Sequence, residues 1–329
     1  MNLPPGAFKR IPAERLREFS ADCLKAAGMK PDHAEQLAVL LTNGDLRGVR
    51  SHGTRQVRGY CQSLRDEKVN PNPDIRVVKE TETSILVDGD GGLGYAPMMM
   101  ATDQAIEKAG DRGLAAGAVC HIGHYGSAGH YVRRAMEEGC FAFSVQGAHP
   151  AFGGVGGDQR PSSAYWGNPP MCFGLPGEEE PPLVMDGGTT LMADYQGEEL
   201  QELIPAAFFK SIGLTGVSTA LGGAFVGMNN PRAAEVADRW PAAQSGGMIL
   251  VVDIGLFSPS REFRQGVDHL VRGVRETMAP VRGYDEATVP GTIEHRKERE
   301  YRHDGVPVGL EDLELLNQTA ADLDLPPLA

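Results

Sequence analysis

The sequence has no basic block, no long apolar run, and no cysteines spaced as a pair. Its net charge is −13 over 329 residues. That balance excludes nucleic acid as a partner, because neutralising phosphates takes a basic surface. The longest weakly polar run, residues 212–228, is broken by five glycines, Ser218 and two threonines, and falls short of a membrane span. No membrane association is expected, and small residues at that density imply close backbone packing inside the fold. The five cysteines, Cys23, Cys61, Cys120, Cys140 and Cys172, are odd in number and contain no CxxC. With no signal-peptide pattern at the start, a reducing cytoplasm is the expected location. The glycine-rich stretch 88–97, DGDGGLGYAP, lies after a strand-like run but does not meet GxGxxG in the order a Rossmann turn needs.

Against these absences, 41% hydrophobic and 23% charged residues describe an ordinary globular protein. The length suits two domains or one large elaborated one. The densest chemistry lies in residues 45–60, DLRGVRSHGTRQVRGY, where Arg47, Arg50, Arg55 and Arg58 flank Ser51 and His52. Guanidinium forks bind carboxylates bidentately, and histidine exchanges protons near neutrality. The stretch therefore predicts a small anionic carboxylate substrate, although a solvated helix face uses the same residue types. Gly53 is expected to let the backbone pass close to whatever His52 serves.

A second chemical stretch is residues 119–131, VCHIGHYGSAGHY. His121 and His124 lie three apart, with His130, Cys120 and His149 nearby. A zinc or iron site is the rival reading, weakened by the lack of a helical i, i+4 pair; no metal ligand is assigned. Lys210, flanked by aromatic and apolar residues, would be costly to bury unpaired and is expected to meet an anion.

Periodicity predicts helices over 12–29 and from Pro31, placing His52 at or near a helix end. Ile75, Val77, Ile85 and Val87 alternate as in a hairpin. Helices are expected over 101–108 and 128–138, strands over 141–145, 171–175 and 248–252, an amphipathic helix over 261–278, and a final helix over 310–323.

Several words resemble those of the malate/L-lactate dehydrogenase-like family of NAD(P)-dependent 2-hydroxyacid and ketimine oxidoreductases. They are DLRG and SHG with a following Tyr; His124-Tyr125-Gly126 with Gly129 and Tyr131; Gly167-Asn168-Pro169; Asp186 with Thr189-Thr190; Leu203-Ile204-Pro205 and Lys210; and Val289-Pro290-Gly291. They run colinearly over nearly the whole chain. The resemblance implies a mixed α/β, non-Rossmann fold, with residues 1–73 and 259–329 joining in an outer helical domain around a cofactor-binding α/β domain, 74–258. It implies a homodimer with the site near the subunit contact, and NAD or NADP as cofactor. By residue, it implies His52 as acid/base, His124 orienting the reacting oxygen, Ser51 hydrogen-bonding the substrate, and Arg55 or Arg50 clamping its carboxylate. Asp186, Gly187, Gly188, Thr189, Thr190, Lys210 and Gly291 would line the cofactor.

The sequence departs from the family pattern between Asp194 and Leu203, where the segment is short, at Ala206, Ala207 and Ser211, and at Thr292-Ile293. A homologue that binds ligand without efficient catalysis is therefore a second reading, and a metal enzyme using His121, His124 and His149 a third.

Overall fold

The computed structural model describes residues 4–148, 162–191 and 201–329. His149 and most of the short segment before Lys210 lie outside them. The chain opens with β1 (Phe8–Ile11), α1 (Ala13–Ala26) and α2 (Pro31–Leu46), then two single 3-10 turns, Arg50–His52 and Thr54–Gln56, and α3 (Val57–Arg65). Proline suits a first helical turn, where an amide hydrogen has no partner anyway, and Pro31 sits at the start of α2. Leu16, Phe19, Cys23 and Leu24 of α1 face Leu37 and Leu41 of α2 in one core.

The expected hairpin is β2 (Arg76–Glu80) against β3 (Ser84–Asp88), followed by α4 (Tyr95–Arg112), β4 (Leu114–Ile122), α5 (Gly129–Glu137), β5 (Cys140–Ala148), β6 (Pro170–Leu175) and β7 (Leu183–Gly188). Next come α6 (Pro205–Thr219), running into a π turn at Ala220–Ala224, then α7 (Pro231–Arg239), β8 (Ser245–Asp253), α8 (Ser260–Thr277), α9 (Thr292–Asp304), β9 (Val306–Gly309) and α10 (Leu310–Ala321). Helix α4 begins six residues before the expected Ala101, at Tyr95, because Gly94 lies in helical space as its cap.

Seven strands form a mixed sheet in the order β2-β3-β4-β8-β5-β6-β7. Only β3 and β4 run parallel among its pairs, and β8, late in sequence, enters between β4 and β5. This is not a doubly wound sheet. Successive side chains of a strand face opposite sides: Cys140 and Ala142 of β5 join the main core, and Val145 joins a smaller one with Met171, Val226, Met228 and Met248. The glycines of residues 212–228 do serve close packing, since a Cβ on Gly222 or Gly223 would collide with the backbone of residues 146–148.

The chain ends meet, β1 pairing antiparallel with β9. The return toward the amino-terminal helices begins later than residue 259, however. Helix α8 stays on the sheet side: its Asp268 carboxylate accepts the amides of Glu178, Glu179 and Glu180, and Phe263 stacks on Phe141.

Candidate active site

A cavity of about 900 Å³ opens where the 3-10 turn at Arg50–His52, the start of α5, the end of β7 and the segment before α9 converge. His52 and His124 face one another on its wall, their ring centroids 5.6 Å apart. The Tyr60 hydroxyl lies 2.6 Å from His124 Nδ1 and 2.8 Å from the Tyr95 hydroxyl. Burial holds both phenols above their ordinary pKa, so they stay protonated hydrogen-bonding groups. If Tyr60 donates to Nδ1, His124 keeps its hydrogen on Nε2, the tautomer that can donate to a carbonyl oxygen. Ser51 Oγ lies 3.0 Å from His52 Nδ1.

All three imidazoles on this wall are held neutral. Burial, then the neighbouring His52, lowers His124 to about 4. Burial lowers His130 to about 3, with Arg47, His52, Arg133 and His124 adding to the effect. Burial also lowers His52, but the Asp186 carboxylate pulls the other way. Of the facing pair, His52 is thus the one whose protonated form has a carboxylate in support.

Two glycines have geometric reasons. Gly126, in the His124-Tyr125-Gly126 word, holds φ +80°, and a Cβ there would overlap the Tyr95 ring. A Cβ on Gly53 would overlap the Asp45 carboxylate, so the expectation that Gly53 accommodates a ligand is corrected: its close neighbour is Asp45. That buried carboxylate accepts from the Thr54 amide at 2.9 Å and the Thr54 hydroxyl at 2.6 Å, fixing the turn that carries His52. Burial, partly offset by these hydrogen bonds, raises Asp45 to about 6.

The family model described as malate/L-lactate dehydrogenase matches residues 11–202. The chain belongs to that family. Among relatives, the ureidoglycolate dehydrogenase (NAD(+)) of Escherichia coli O157:H7 is 27% identical over 329 residues, covering 91% of this chain and 92% of that protein. The L-sulfolactate dehydrogenase of Methanocaldococcus jannaschii is 26% identical over 336 residues, covering 93% and 94%. In structure, the malate dehydrogenase from Pyrococcus horikoshii OT3 superposes with a TM-score of 0.84 at 24% identity, over 99% of this chain and 98% of that one, a likeness of fold.

In this malate/L-lactate dehydrogenase family chain, Ser51, His52, His124, Asp186, Gly187, Gly188 and Gly291 all line the cavity. The Asp186 carboxylate accepts from Ser127 Oγ and the Gly129 amide, so it fixes the start of α5. Thr189 and Thr190 do not line the cavity: their hydroxyls donate to the carbonyls of Pro169 and Gly167. Lys210 is exposed on α6 and off the cavity, so the burial cost that motivated an anion partner does not arise.

The arginines require the larger correction. Arg47 pairs with Glu298 at 3.0 Å, Arg50 and Arg55 with Asp312 at 3.2 and 3.8 Å, and Arg58 with Asp322 at 3.8 Å. Three acidic residues, one on α9, one on α10 and one just after α10, thus engage all four arginines, with Asp312 shared by two, and of the four only Arg47 lines the cavity. Sequence reasoning missed Arg133, Gln146 and Ser127 on the wall, and named His130 only beside the rival metal reading. Arg133 follows Gly129 by one helical turn, and that spacing is the signal that could have found it.

His121 is not part of this wall. Its Nδ1 lies 3.0 Å from Asp88, whose other oxygen accepts from Arg232 at 3.0 Å. Asp88, Cys120 and His121 are close enough together to suggest metal ligands, but that group does not include His124, and His149 lies outside the described residues. All five cysteines are free and buried, and burial pushes Cys23, Cys61 and Cys120 up to about 12, so these three are not reactive thiolates.

Proposed function

We propose that this chain is an oxidoreductase that moves a hydride between NAD or NADP and the C2 carbon of a small 2-hydroxy or 2-oxo carboxylate. The observation that carries the reading is the facing pair His52 and His124 on the wall of a cavity large enough for a nicotinamide group beside a small acid. Removing hydride from a secondary alcohol requires its hydroxyl proton to leave too, which needs a base within hydrogen-bond reach. His52, supported by the Asp186 field, takes or returns that proton; Ser51 orients the His52 ring through Nδ1. His124, set by Tyr60, donates to the reacting oxygen.

The cavity fits a nicotinamide cofactor. A Cβ on Gly187 would meet no protein atom, so this glycine leaves room at the end of β7. Val274, Met278, Val281 and Val289 give an apolar wall, and His130 Nε2 is buried without a hydrogen-bond partner among the described residues. Gly187, Gly188 and Gly291 would hold the cofactor, which supplies or accepts the hydride when bound.

Leu203, Ile204, Phe209 and Phe225 are between half and three-quarters exposed on and around α6. Apolar groups in that number support a homodimer through this face. Light scattering of the purified chain checks that part: a mass near twice 35.2 kDa is expected.

The function is tested by titrating the protein with NADH and NADPH and following absorbance against a panel of 2-oxo acids. Binding with oxidation is expected; a folded protein that binds neither nucleotide overturns the reading in favour of a non-catalytic homologue.

A further inference from the structure

The group formed by Asp88, Cys120 and His121 lies off the cavity wall and has no part in the hydride chemistry proposed above. Asp88 closes β3, while Cys120 and His121 stand near the end of β4; the two strands run parallel, with Asp88 directly beside Cys120. Successive residues of a regular strand face opposite sides. In β4 the register against β8 breaks between Val119 and Ile122, and His121 holds φ +55°. The break lets both neighbouring side chains converge on the Asp88 carboxylate.

The convergence has the dimensions of a coordination sphere. His121 Nδ1 lies 3.0 Å from Asp88 Oδ1 and 3.5 Å from Cys120 Sγ, and one donor atom from each of the three residues lies within 4.8 Å of the others. A tetrahedral zinc ion, with bonds of about 2.0 Å to nitrogen and oxygen and about 2.3 Å to sulfur, sets its N and O ligands about 3.3 Å apart and its N and S ligands about 3.5 Å apart. Hydrogen bonding alone leaves the group incomplete. The Cys120 thiol makes only weak contacts, 3.8 Å to the Val87 carbonyl oxygen and 3.5 Å to Nδ1, and His121 Nε2 is buried with no partner among the described residues.

The donor set selects the ion. Thiolate and imidazole favour zinc over magnesium or calcium, and two anionic donors balance a divalent charge. All three residues are 3% exposed or less. Arg232 bonds the other Asp88 oxygen at 3.0 Å, the kind of outer hydrogen bond that a ligating carboxylate receives. Met228 Sδ accepts the His121 amide at 3.2 Å, so a soft thioether that can complete the tetrahedron borders the group.

We propose that Asp88, Cys120 and Nδ1 of His121 form a structural Zn2+ site that pins the ends of β3 and β4. As the sulfur–metal bond forms, the Cys120 proton leaves to solvent, and the His121 ring carries its hydrogen on Nε2. The site is separate from the facing histidines and does not rest on the oxidoreductase reading.

The test titrates chelator-stripped wild type with Zn2+ and with Co2+, whose bond to a thiolate gives a charge-transfer absorption that nitrogen and oxygen ligands lack. One zinc per chain, the thiolate band and a melting temperature that rises with free zinc are expected. Cys120→Ser should abolish the band and weaken zinc by more than the about ten- to hundredfold typical of losing an outer partner. Asp88→Asn should keep the band and weaken zinc at least about tenfold, and it decides the question should C120S not fold. Cys140→Ser, at another buried cysteine, and His124→Ala, in the cavity, should leave zinc affinity unchanged. A folded wild type that binds no zinc, or binds cobalt without the thiolate band, overturns the proposal. So does binding that H124A loses and C120S keeps, which assigns the ion to the cavity.

Discussion

The molecule contains two histidine centres built on opposite principles. His121 has what a catalytic dyad is usually recognised by, a carboxylate 3.0 Å from Nδ1, and both groups are 3% exposed. It also holds φ +55°, a strained conformation for a residue other than glycine, and it lies off the cavity. His52 and His124 have no carboxylate within ion-pair distance among the described residues, yet they share the cavity wall. The Asp88 carboxylate, bonded by the buried His121 imidazole on one oxygen and by Arg232 on the other, ties β3, β4 and α7 together. Neutral imidazoles braced by hydroxyls keep a nitrogen available. His121 also keeps a buried Nε2 without a partner among the described residues, so access to the cavity, rather than proximity to an acid, separates the structural centre from the candidate chemical one.

The largest effect expected from this contrast is on turnover. His52→Ala should reduce kcat by about 10²- to 10⁴-fold with the melting temperature nearly unchanged, whereas His121→Ala should lower the melting temperature and spare the chemistry. Steady-state kinetics paired with thermal melts reads both, and the reverse pattern would exchange the roles of the two centres.

Next in size is the structural centre itself. Asp88→Ala leaves His121 and Arg232 without their acceptor and should cost about 3 kcal/mol in denaturant unfolding. Burial acts to raise the Asp88 pKa, but hydrogen bonds from His121, the Asp90 amide and Arg232 outweigh it and hold the group well below the usual carboxylate range. The stabilisation is therefore complete above the unfolded-state pKa and is lost as pH falls into the acid range. Wild type and D88A should converge in stability there.

Asp45 carries the opposite sign. Its pKa rises from 3.8 to about 6 in the fold, so the folded state favours the protonated form. Stability is highest below the lower value and declines as pH rises through the upper, by about 3 kcal/mol at roughly 1.4 kcal/mol per unit. Asp45→Asn keeps an acceptor for Thr54 and removes the ionisation. Its advantage over wild type should grow between about pH 4 and 6 and then level off; parallel curves would show that Asp45 titrates normally.

The smallest predicted change tests the brace on His124. Tyr60→Phe removes one hydrogen bond to Nδ1, worth about tenfold in kcat, and should shift the pH dependence of kcat. A loss confined to KM would assign Tyr60 to packing.

Much of the architecture was legible because it rests on local rules. Pro31 starting a helix, the alternation across Ile75–Val87 and the stripe on residues 261–278 each encode an element without reference to distant chain. The family words also brought His52, His124 and the end of β7 to one cavity. What the words could not show was who pairs with whom. Arg50 and Arg55 read as a substrate clamp because Asp312, far along the chain, supplies their countercharge only once β1 and β9 have joined the chain ends. Arg133 drew no reading from the sequence, and Lys210 read as buried.

By itself the sequence determined the element types, the family and the residues capable of acid/base work, since these follow from short-range periodicity and side-chain chemistry. Tertiary structure alone decided which charges remain unspent. Ion pairing depends on separations of a few ångströms between residues up to 290 positions apart, and no local pattern carries that distance.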